Sequence, residues 1–90
     1  MRVARRFVII GRVQGVGFRW FTREAAQREG VTGWVRNLPD GSVEAFVEGE
    51  NEAVTRVERA LRRGPGGARV EDVYVDSEAP TASYKDFSIT

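Results

Sequence analysis

The sequence contains neither cysteine nor histidine. The absence of cysteine excludes disulfide bonds, thiolate nucleophiles and cysteine-ligated metal sites. The absence of histidine removes the side chain that most often serves enzymes as a general base or as a metal ligand. Any chemistry that this chain performs must therefore proceed without these two side chains.

Two further features are missing, a strong net charge and a long hydrophobic run. The 90 residues include 14 Lys and Arg against 13 Asp and Glu, a formal net charge of +1, so no global field attracts nucleic acid or an anionic membrane. The longest apolar run, Phe7–Ile10, is too short to cross a bilayer, and no signal-type segment follows Met1-Arg2. We therefore expect a cytoplasmic monomer of one domain, residues 1–90, with no nucleic-acid or membrane partner.

Hydrophobic periodicity predicts a strand, a helix and a hairpin in the first half of the chain. Val3–Val13 is apolar and β-branched around Phe7–Ile10, as expected for a central strand. Apolar residues then recur every three or four positions from Phe18 to Gly30, where a glycine can end a helix in the left-handed conformation. The turn Pro39-Asp40-Gly41 separates two alternating segments, which are Gly33–Leu38 and Ser42–Glu48.

The second half predicts one helix and two strands. Asn51 can cap the helix, which ends at Gly64. Its buried stripe consists of Ala53, Val54, Val57, Ala60 and Leu61. Two short alternating segments follow as the fourth and fifth strands, Val70–Val75 and Tyr84–Ile89.

This order of elements predicts an α+β protein of the ferredoxin-like βαββαβ class, with one short strand appended. The right-handed crossover rule gives a mixed sheet in the order 4-1-3-2, with both helices on one face and the fifth strand beside strand two. Strands one and two then run parallel, so their carboxyl ends lie at the same rim. Arg19 follows the first of these ends and Asn37 the second. With neighbouring strands about 4.8 Å apart, the two side chains can converge on one small ligand.

The segment Gly11–Arg19 is a glycine-rich turn that leads into the first helix. Gly15 and Gly17 permit unusual backbone angles, so successive amide N–H groups can point into one concavity that binds an oxyanion. The helix N-terminus and the Arg19 guanidinium would add to the attraction for phosphate. Glycine alone does not decide the matter. The segment lacks a Gly-Lys-Ser/Thr P-loop and a third glycine at Trp20, and an ordinary turn with a solvated arginine explains it as well.

Asn37 is ambiguous in the same way, because asparagine before Pro-Asp-Gly is more often a turn residue than a catalytic one. Two longer motifs decide between the alternatives. The chain reads Gly11-Arg12-Val13-Gln14-Gly15-Val16-Gly17-Phe18-Arg19 and Gly33-Trp34-Val35-Arg36-Asn37-Leu38-Pro39-Asp40-Gly41-Ser42-Val43. These segments resemble the acylphosphatase motifs Gly-x-Val-Gln-Gly-Val-x-Phe-Arg and Gly-Trp-Val-Arg-Asn-x-x-x-Gly-x-Val. The resemblance extends over essentially the whole chain.

The resemblance implies an enzyme that hydrolyses acyl phosphates to a carboxylate and inorganic phosphate, which also inhibits it, without a metal or a cofactor. It implies that Arg19 holds the phosphoryl group and that the Asn37 side-chain amide orients the attacking water. Backbone amides of the loop would bind the phosphoryl oxygens, at Gln14, Gly15, Val16, Gly17 and Phe18. Two positions depart from common members of the family: Gly17 stands where some carry cysteine, and Leu38 where vertebrate members usually carry a hydroxyl residue.

Acyl phosphate hydrolysis suits a chain without histidine. The leaving group is a carboxylate whose conjugate acid has a pKa of about 4, so its departure needs no general acid at neutral pH. Phosphoryl transfer mainly requires charge stabilisation and an aligned nucleophile. Asn37 cannot accept a proton, so it can only position the water. The family resemblance implies that a phosphate oxygen accepts the proton instead.

Two other functions remain open at the level of sequence. RNA-recognition domains share the βαββαβ order, but the third strand here has one aromatic residue, Phe46, beside the acids Glu44 and Glu48. A regulatory small-anion module would keep the phosphate site without turnover, as related domains occur within larger enzymes that handle carbamoyl phosphate. Trp20 and Trp34 could stack on a ligand, although aromatic residues in such patterns are more often packing residues.

Overall fold

The chain folds into a five-stranded sheet and two helices. A computed structural model describes all residues from 1 to 90. In chain order the elements are β1 (Arg2–Arg12), α1 (Phe18–Glu29), β2 (Thr32–Asn37), β3 (Val43–Glu50), α2 (Asn51–Arg63), β4 (Arg69–Glu78) and β5 (Phe87–Ile89). Neither helix is long and apolar enough to span a membrane.

The strand order in the sheet is β4-β1-β3-β2-β5. β1 pairs antiparallel with β3 and β4, β2 pairs antiparallel with β3, and β2 pairs parallel with β5. The predicted ferredoxin-like class, the 4-1-3-2 order and the place of the fifth strand are therefore confirmed. Because β1 and β2 are both antiparallel to β3, they run in the same direction, and their carboxyl ends reach the same rim of the sheet.

The core lies between one face of the sheet and the two helices. Phe7 and Ile9 of β1 and Val47 of β3 point toward the helices and are fully buried. The helices meet them with Phe18 of α1 and Leu61 of α2. Burial of such a side chain is worth about 1.5–3 kcal/mol. This packing fixes both helices on one face and holds the start of α1, at Phe18, close to the rim.

The helix ends agree with the predicted glycine cap but not with the predicted asparagine cap. α1 ends at Gly30, which has φ 71° and donates its N–H to carbonyls of the last turn, as predicted. The prediction that Asn51 caps α2 is wrong, because Asn51 is already helical and Glu50 occupies the N-cap without a side-chain hydrogen bond. The Asn51 Oδ1 instead accepts a hydrogen bond from Arg5 Nη2 at 2.8 Å. The Asn51 side chain therefore binds Arg5 of β1 and does not cap its own helix.

β4 and β5 differ in length from the predicted strands. β4 runs from Arg69 to Glu78 because its backbone pairs with β1 over this stretch, including exposed polar residues that give no hydrophobic alternation. β5 covers only Phe87–Ile89. Residues 79–86, here called the strap, join the two strands across the face of the sheet that carries no helix.

The strap covers a small aromatic cluster on this helix-free face. The rings of Phe46 and Tyr84 lie 5.6 Å apart between centroids, and Trp34 stacks beside Phe46 at 6.2 Å. Trp34 Nε1 also donates to Tyr84 Oη at 3.2 Å. Trp34 is a packing residue as expected, but it packs outside the main core. Its neighbour Val35 faces the helices, and the period of two along β2 turns Trp34 the other way.

Glu48 is a fully buried carboxylate beneath the strap. It accepts hydrogen bonds from the N–H and the hydroxyl of Thr81, both at 3.0 Å, and from the N–H of Ala82 at 2.7 Å, while Arg2 lies 3.5 Å away. The hydrogen bond from the Thr81 N–H, joined by that from Ala82, outweighs burial and holds the pKa of Glu48 below its ordinary value of 4.5. The ionised carboxylate therefore fastens the strap to the sheet.

Glu48→Gln should destabilise the protein at neutral pH and weaken its response to acid. The amide keeps one acceptor oxygen but turns an NH₂ donor toward N–H groups, which we expect to lower the free energy of unfolding by about 1–3 kcal/mol. Because the folded-state pKa of Glu48 is lowered, its stabilisation is complete above the pKa of the unfolded chain and is lost as the pH falls through the folded-state value. Urea unfolding of both proteins at neutral pH and in acid should show a gap that closes in acid.

The matched control is Glu24→Gln, on the exposed face of α1, where the carboxylate has no hydrogen-bonding or ion-pair partner. This variant should unfold like the parent at neutral pH. An equal loss in both variants, or a Glu48→Gln deficit that persists unchanged in acid, would contradict the role assigned to Glu48.

Candidate active site

The loop between β1 and α1 contains two glycines in the left-handed region. Gly15 has φ 75° and Gly17 has φ 77°. A Cβ added at either position would meet nothing within 4 Å, so the backbone angle and not crowding requires glycine here. Both residues thus adopt the unusual backbone angles that the sequence pattern predicts.

α1 begins directly at this loop, and no side chain caps its N-terminus. Gly17 occupies the N-cap, no side-chain hydrogen bond reaches it, and the first turn contains no acidic residue. The first N–H groups of a helix have no partner within the helix, and they carry its partial positive charge. Arg19 stands in this first turn and adds a full positive charge. The N-terminus of α1 therefore presents several hydrogen-bond donors, and no carboxylate in its first turn competes with an anion for them.

A pocket of about 110 Å³ lies at the rim where β1 and β2 end. Its lining residues are Val13, Gln14, Gly15, Gly17, Phe18, Arg19, Trp20 and Asn37. Six of the seven residues that the sequence assigns to the site therefore line one small cavity. Val16 is the exception, because it packs against the hydrophobic core. Any contribution of Val16 to the site would come from its backbone.

Arg19 is a partly buried cation with no Asp or Glu side chain as a partner. Its Nη1 donates to the carbonyl oxygen of Thr90 across a long 3.4 Å. The Thr90 N–H in turn donates to the carbonyl of Val35 at 2.9 Å, which holds this residue beside β2. No local sequence pattern indicates the contact between Arg19 and Thr90. A main-chain oxygen of Thr90 thus contacts the guanidinium, and no Asp or Glu side chain pairs with it.

Asn37 is the last residue of β2. Its side chain is exposed, lines the pocket and makes no hydrogen bond within the protein. The turn that follows is held by Asp40, whose Oδ1 accepts hydrogen bonds from the hydroxyl of Ser42 at 2.5 Å and from its N–H at 2.9 Å. These two hydrogen bonds, the hydroxyl first, hold the pKa of Asp40 below its usual range. A fixed turn thus supports an amide that is free to bind a ligand or a water.

The side chain of Gln14 connects the glycine loop to the β2–β3 hairpin. Its Nε2 donates to the carbonyls of Leu38 at 2.8 Å and of Ser42 at 2.9 Å. The same two carbonyls close the hairpin turn, where they accept the N–H groups of Gly41 and Leu38. The sequence pattern assigns Gln14 only a backbone role, so this function of the side chain is missed. The sequence feature that could have indicated this role is a single glutamine in a loop that otherwise consists of small and apolar residues.

Trp20 also lines the pocket, and the predicted packing role is wrong. Its side chain is 61% exposed. Arg23, one turn later, places its guanidinium carbon 4.0 Å from the indole centroid. The buried stripe of α1 is already formed by Phe18, Thr22, Ala25 and Ala26. Position 20 therefore falls outside this stripe and stands at the pocket.

The other depressions of the surface lie along α2, away from the predicted site residues. No cluster of three or more histidine, cysteine, aspartate or glutamate side chains is arranged to hold a metal ion. A larger depression of about 530 Å³ lies at the start of α2, and none of the predicted site residues lines it; its lining is Met1, Glu50, Asn51, Glu52, Ala53 and Arg56. The anion-binding features converge on the smaller pocket.

The sequence is similar to acylphosphatases over nearly its whole length. The family model described as Acylphosphatase matches residues 5–89. The acylphosphatase of Pyrobaculum aerophilum is 52% identical over 91 residues, which cover 99% of this chain and 96% of that protein. The acylphosphatase of Rhizobium etli is 51% identical over 87 residues, which cover 97% and 93%.

The fold is similar to those of solved acylphosphatases. The crystal structure of acylphosphatase from Bacillus subtilis superposes with a TM-score of 0.94 at 35% identity and covers 98% of both chains. Full-length HypF in its phosphate- and nucleotide-bound form matches with a TM-score of 0.87 at 30% identity, over all of this chain but only 12% of HypF. Sequence and structure together lead to one conclusion: this chain belongs to the acylphosphatase family of hydrolases.

Proposed function

We propose that this protein hydrolyses small acyl phosphates, with the loop Gln14–Phe18 and Arg19 binding the phosphoryl group and Asn37 placing the attacking water. The observation that carries the proposal is the pocket of about 110 Å³, lined together by a glycine loop, a guanidinium without an Asp or Glu partner and an amide without a hydrogen bond. Its size suits one phosphoryl group, with the acyl part outside. Inorganic phosphate is then both product and inhibitor.

The loop and Arg19 supply charge stabilisation in this proposal. Backbone N–H groups at the start of α1 and the planar donor fork of Arg19 surround the space where three phosphoryl oxygens would lie. In a loose transition state, negative charge is spread over these oxygens. Fixed donors that need no rearrangement stabilise such charge more than mobile water does. The absence of an acidic residue in the first turn of α1 leaves this field uncompensated.

Asn37 supplies orientation and no proton transfer. Its free amide can hold a water on one side of the phosphorus, in line with the acyl oxygen on the other. The water oxygen bonds to phosphorus as the bond from phosphorus to the acyl oxygen breaks, and the electron pair leaves on the carboxylate. A phosphoryl oxygen takes the proton of the water, so neither a general acid nor a general base from the protein is needed.

Gln14 sets the position of the β1–α1 loop relative to the end of β2, where Asn37 lies. Its Nε2 bonds reach the residue directly after Asn37 and the residue at the far side of the turn, at 2.8 and 2.9 Å. The loop that binds phosphate and the strand end that places water therefore share one amide group. A displacement of about 1 Å between catalytic groups can cost about 100-fold in rate. We infer that Gln14 is a positioning residue for Asn37.

A second candidate function is a small-anion module that binds without turnover. The match to a short part of HypF, in a structure described as phosphate- and nucleotide-bound, favours it. Arg19 and Asn37 together favour the enzyme, because an anion module has no need of an amide that places water. RNA binding has weaker support, since Phe46 on β3 is 5% exposed beneath the strap and offers no stacking surface.

The proposed reaction should run in the presence of a chelator. The hydrolysis of acetyl phosphate can be monitored by the disappearance of the acyl phosphate. Its rate in the presence of EDTA should equal the rate without EDTA. A phosphate monoester should not react, because its alkoxide leaving group needs the general acid that the site lacks. Phosphate-dependent protection against unfolding without any hydrolysis would favour the anion module and overturn the enzyme.

Replacing Arg19 and Asn37 should give different kinetic signatures. Arg19→Ala should weaken inhibition by inorganic phosphate and lower kcat at least about 100-fold, and Arg19→Lys should recover little because it lacks the bidentate fork. Asn37→Ala should lower kcat about 100-fold while the inhibition constant for phosphate stays unchanged. If Asn37→Ala weakened phosphate inhibition as strongly as Arg19→Ala, Asn37 would be a ligand of the phosphate and not an orienter of water.

Gln14→Leu should lower kcat about 10- to 100-fold with little change in phosphate inhibition, because the strand end that carries Asn37 loses its register with the loop. The Leu38 and Ser42 carbonyls keep their backbone partners, so the fold should survive. In the Asn37→Ala background the same substitution should cost almost nothing, since the two residues act as one unit. Full additivity of the two losses would show that Gln14 does not act through Asn37.

A further inference from the structure

Trp20 is the one large exposed hydrophobic side chain that lines the proposed active-site pocket. The other large exposed hydrophobic residues are Met1, Tyr74, Val75 and Tyr84, and none of them lines it. The remaining apolar lining residues, Val13 and Phe18, are 1% and 2% exposed. Any apolar contact for a group that emerges from this pocket must therefore come from the indole.

Arg23 holds the indole in place. Its guanidinium carbon lies 4.0 Å from the ring centroid, a cation–π contact, and its Nε is buried without a hydrogen-bond partner. No carboxylate forms a salt bridge with Arg23, so the ring is its principal partner. A stacked guanidinium restrains the side-chain rotamers of Trp20. The ring is therefore ordered before a ligand arrives, which reduces the entropy cost of binding.

The pocket itself is too small for a whole acyl phosphate with a bulky acyl group. About 110 Å³ holds a phosphoryl group, and the acyl group must lie at the mouth, where Trp20 stands. We propose that Trp20, backed by Arg23, is the acyl subsite of this enzyme and that it favours acyl phosphates whose acyl group is a planar aromatic ring. This inference rests on the proposed function and adds its substrate class.

The kinetic test compares benzoyl phosphate with acetyl phosphate in the parent, Trp20→Ala and Trp20→Phe. Stacking of an aromatic acyl group should make kcat/KM of the parent higher for benzoyl phosphate than for acetyl phosphate. Trp20→Ala should lower the benzoyl-to-acetyl ratio of kcat/KM about three- to tenfold, mostly by raising KM for benzoyl phosphate. Trp20→Phe should keep most of the ratio. Inhibition by inorganic phosphate should be the same in all three proteins, because the phosphoryl contacts are unchanged.

Tyr74→Ala is the matched control. Tyr74 is 60% exposed, almost the same as Trp20 at 61%, but it lies on β4 and does not line the pocket. Its loss should leave the benzoyl-to-acetyl ratio at the parent value. A fall in this control as large as in Trp20→Ala would mean that the ratio responds to general exposed aromatic surface, and the subsite would be refuted.

A binding experiment separates this inference from the proposed reaction. Phenacylphosphonate and acetonylphosphonate carry CH₂ in place of the bridging oxygen, so they cannot be hydrolysed as acyl phosphates are. Calorimetry should show that the parent binds phenacylphosphonate more tightly than acetonylphosphonate. Trp20→Ala should reduce the ratio of these two affinities about three- to tenfold. This preference without hydrolysis of either acyl phosphate would support the subsite and refute the proposed activity.

Two results would overturn the subsite while leaving the activity in place. One is an equal loss of kcat/KM for benzoyl and acetyl phosphate in Trp20→Ala, which would mean that the indole supports Arg19 or the loop. The other is an unchanged ratio together with unchanged phosphonate binding, which would mean that the acyl group projects into solvent without touching Trp20.

Discussion

The geometry of the active site depends on one side-chain amide, that of Gln14. The sheet topology brings the ends of β1 and β2 to one rim, yet the loop after β1 contains two left-handed glycines that give it little stiffness of its own. Hydrogen bonds from Gln14 to the carbonyls of Leu38 and Ser42 supply that stiffness. Each is worth only about 0.5–1.5 kcal/mol, little against the burial of the core but enough to select one loop position among several. Arg19 and Asn37 come from different elements that the sheet topology brings together, and the Gln14 contact joins those elements directly.

The opposite face of the sheet also contributes to the site, through the path of the chain after β4. Glu48 holds the strap against β3, and the strap delivers β5 to the free edge of β2. Beyond β5, the carbonyl of Thr90 lies 3.4 Å from the Arg19 guanidinium. A buried carboxylate on the helix-free face therefore helps to place the main-chain oxygen that contacts Arg19, the residue proposed to bind the phosphoryl group. This relation runs through consecutive chain segments and requires no conformational switch.

The parts of the structure that follow from local pattern were predictable, and those set by contacts between distant segments were not. Periods of two and 3.6 residues identify the strands and both helices, and the crossover rule orders the sheet. The two motifs mark Arg19 and Asn37. No such pattern reveals that Arg5 takes the Asn51 side chain away from its helix cap, or that Gln14 reaches the hairpin. β4 is longer than its valine alternation because backbone pairing with β1 does not need apolar side chains.

The two ends of the substrate place different demands on the protein. At the phosphoryl end charge develops in the transition state, so fixed donors, the role proposed for Arg19, accelerate the chemical step. At the acyl end the leaving carboxylate is stable at neutral pH, and little is gained by binding it more tightly in the transition state than in the substrate. Contacts there, such as the proposed stacking on Trp20, act nearly equally on both states and lower KM more than they raise kcat. In the proposed mechanism, one exposed residue can therefore set the preference for the acyl group while the roles of the loop, Arg19 and Asn37 in the chemical step stay the same.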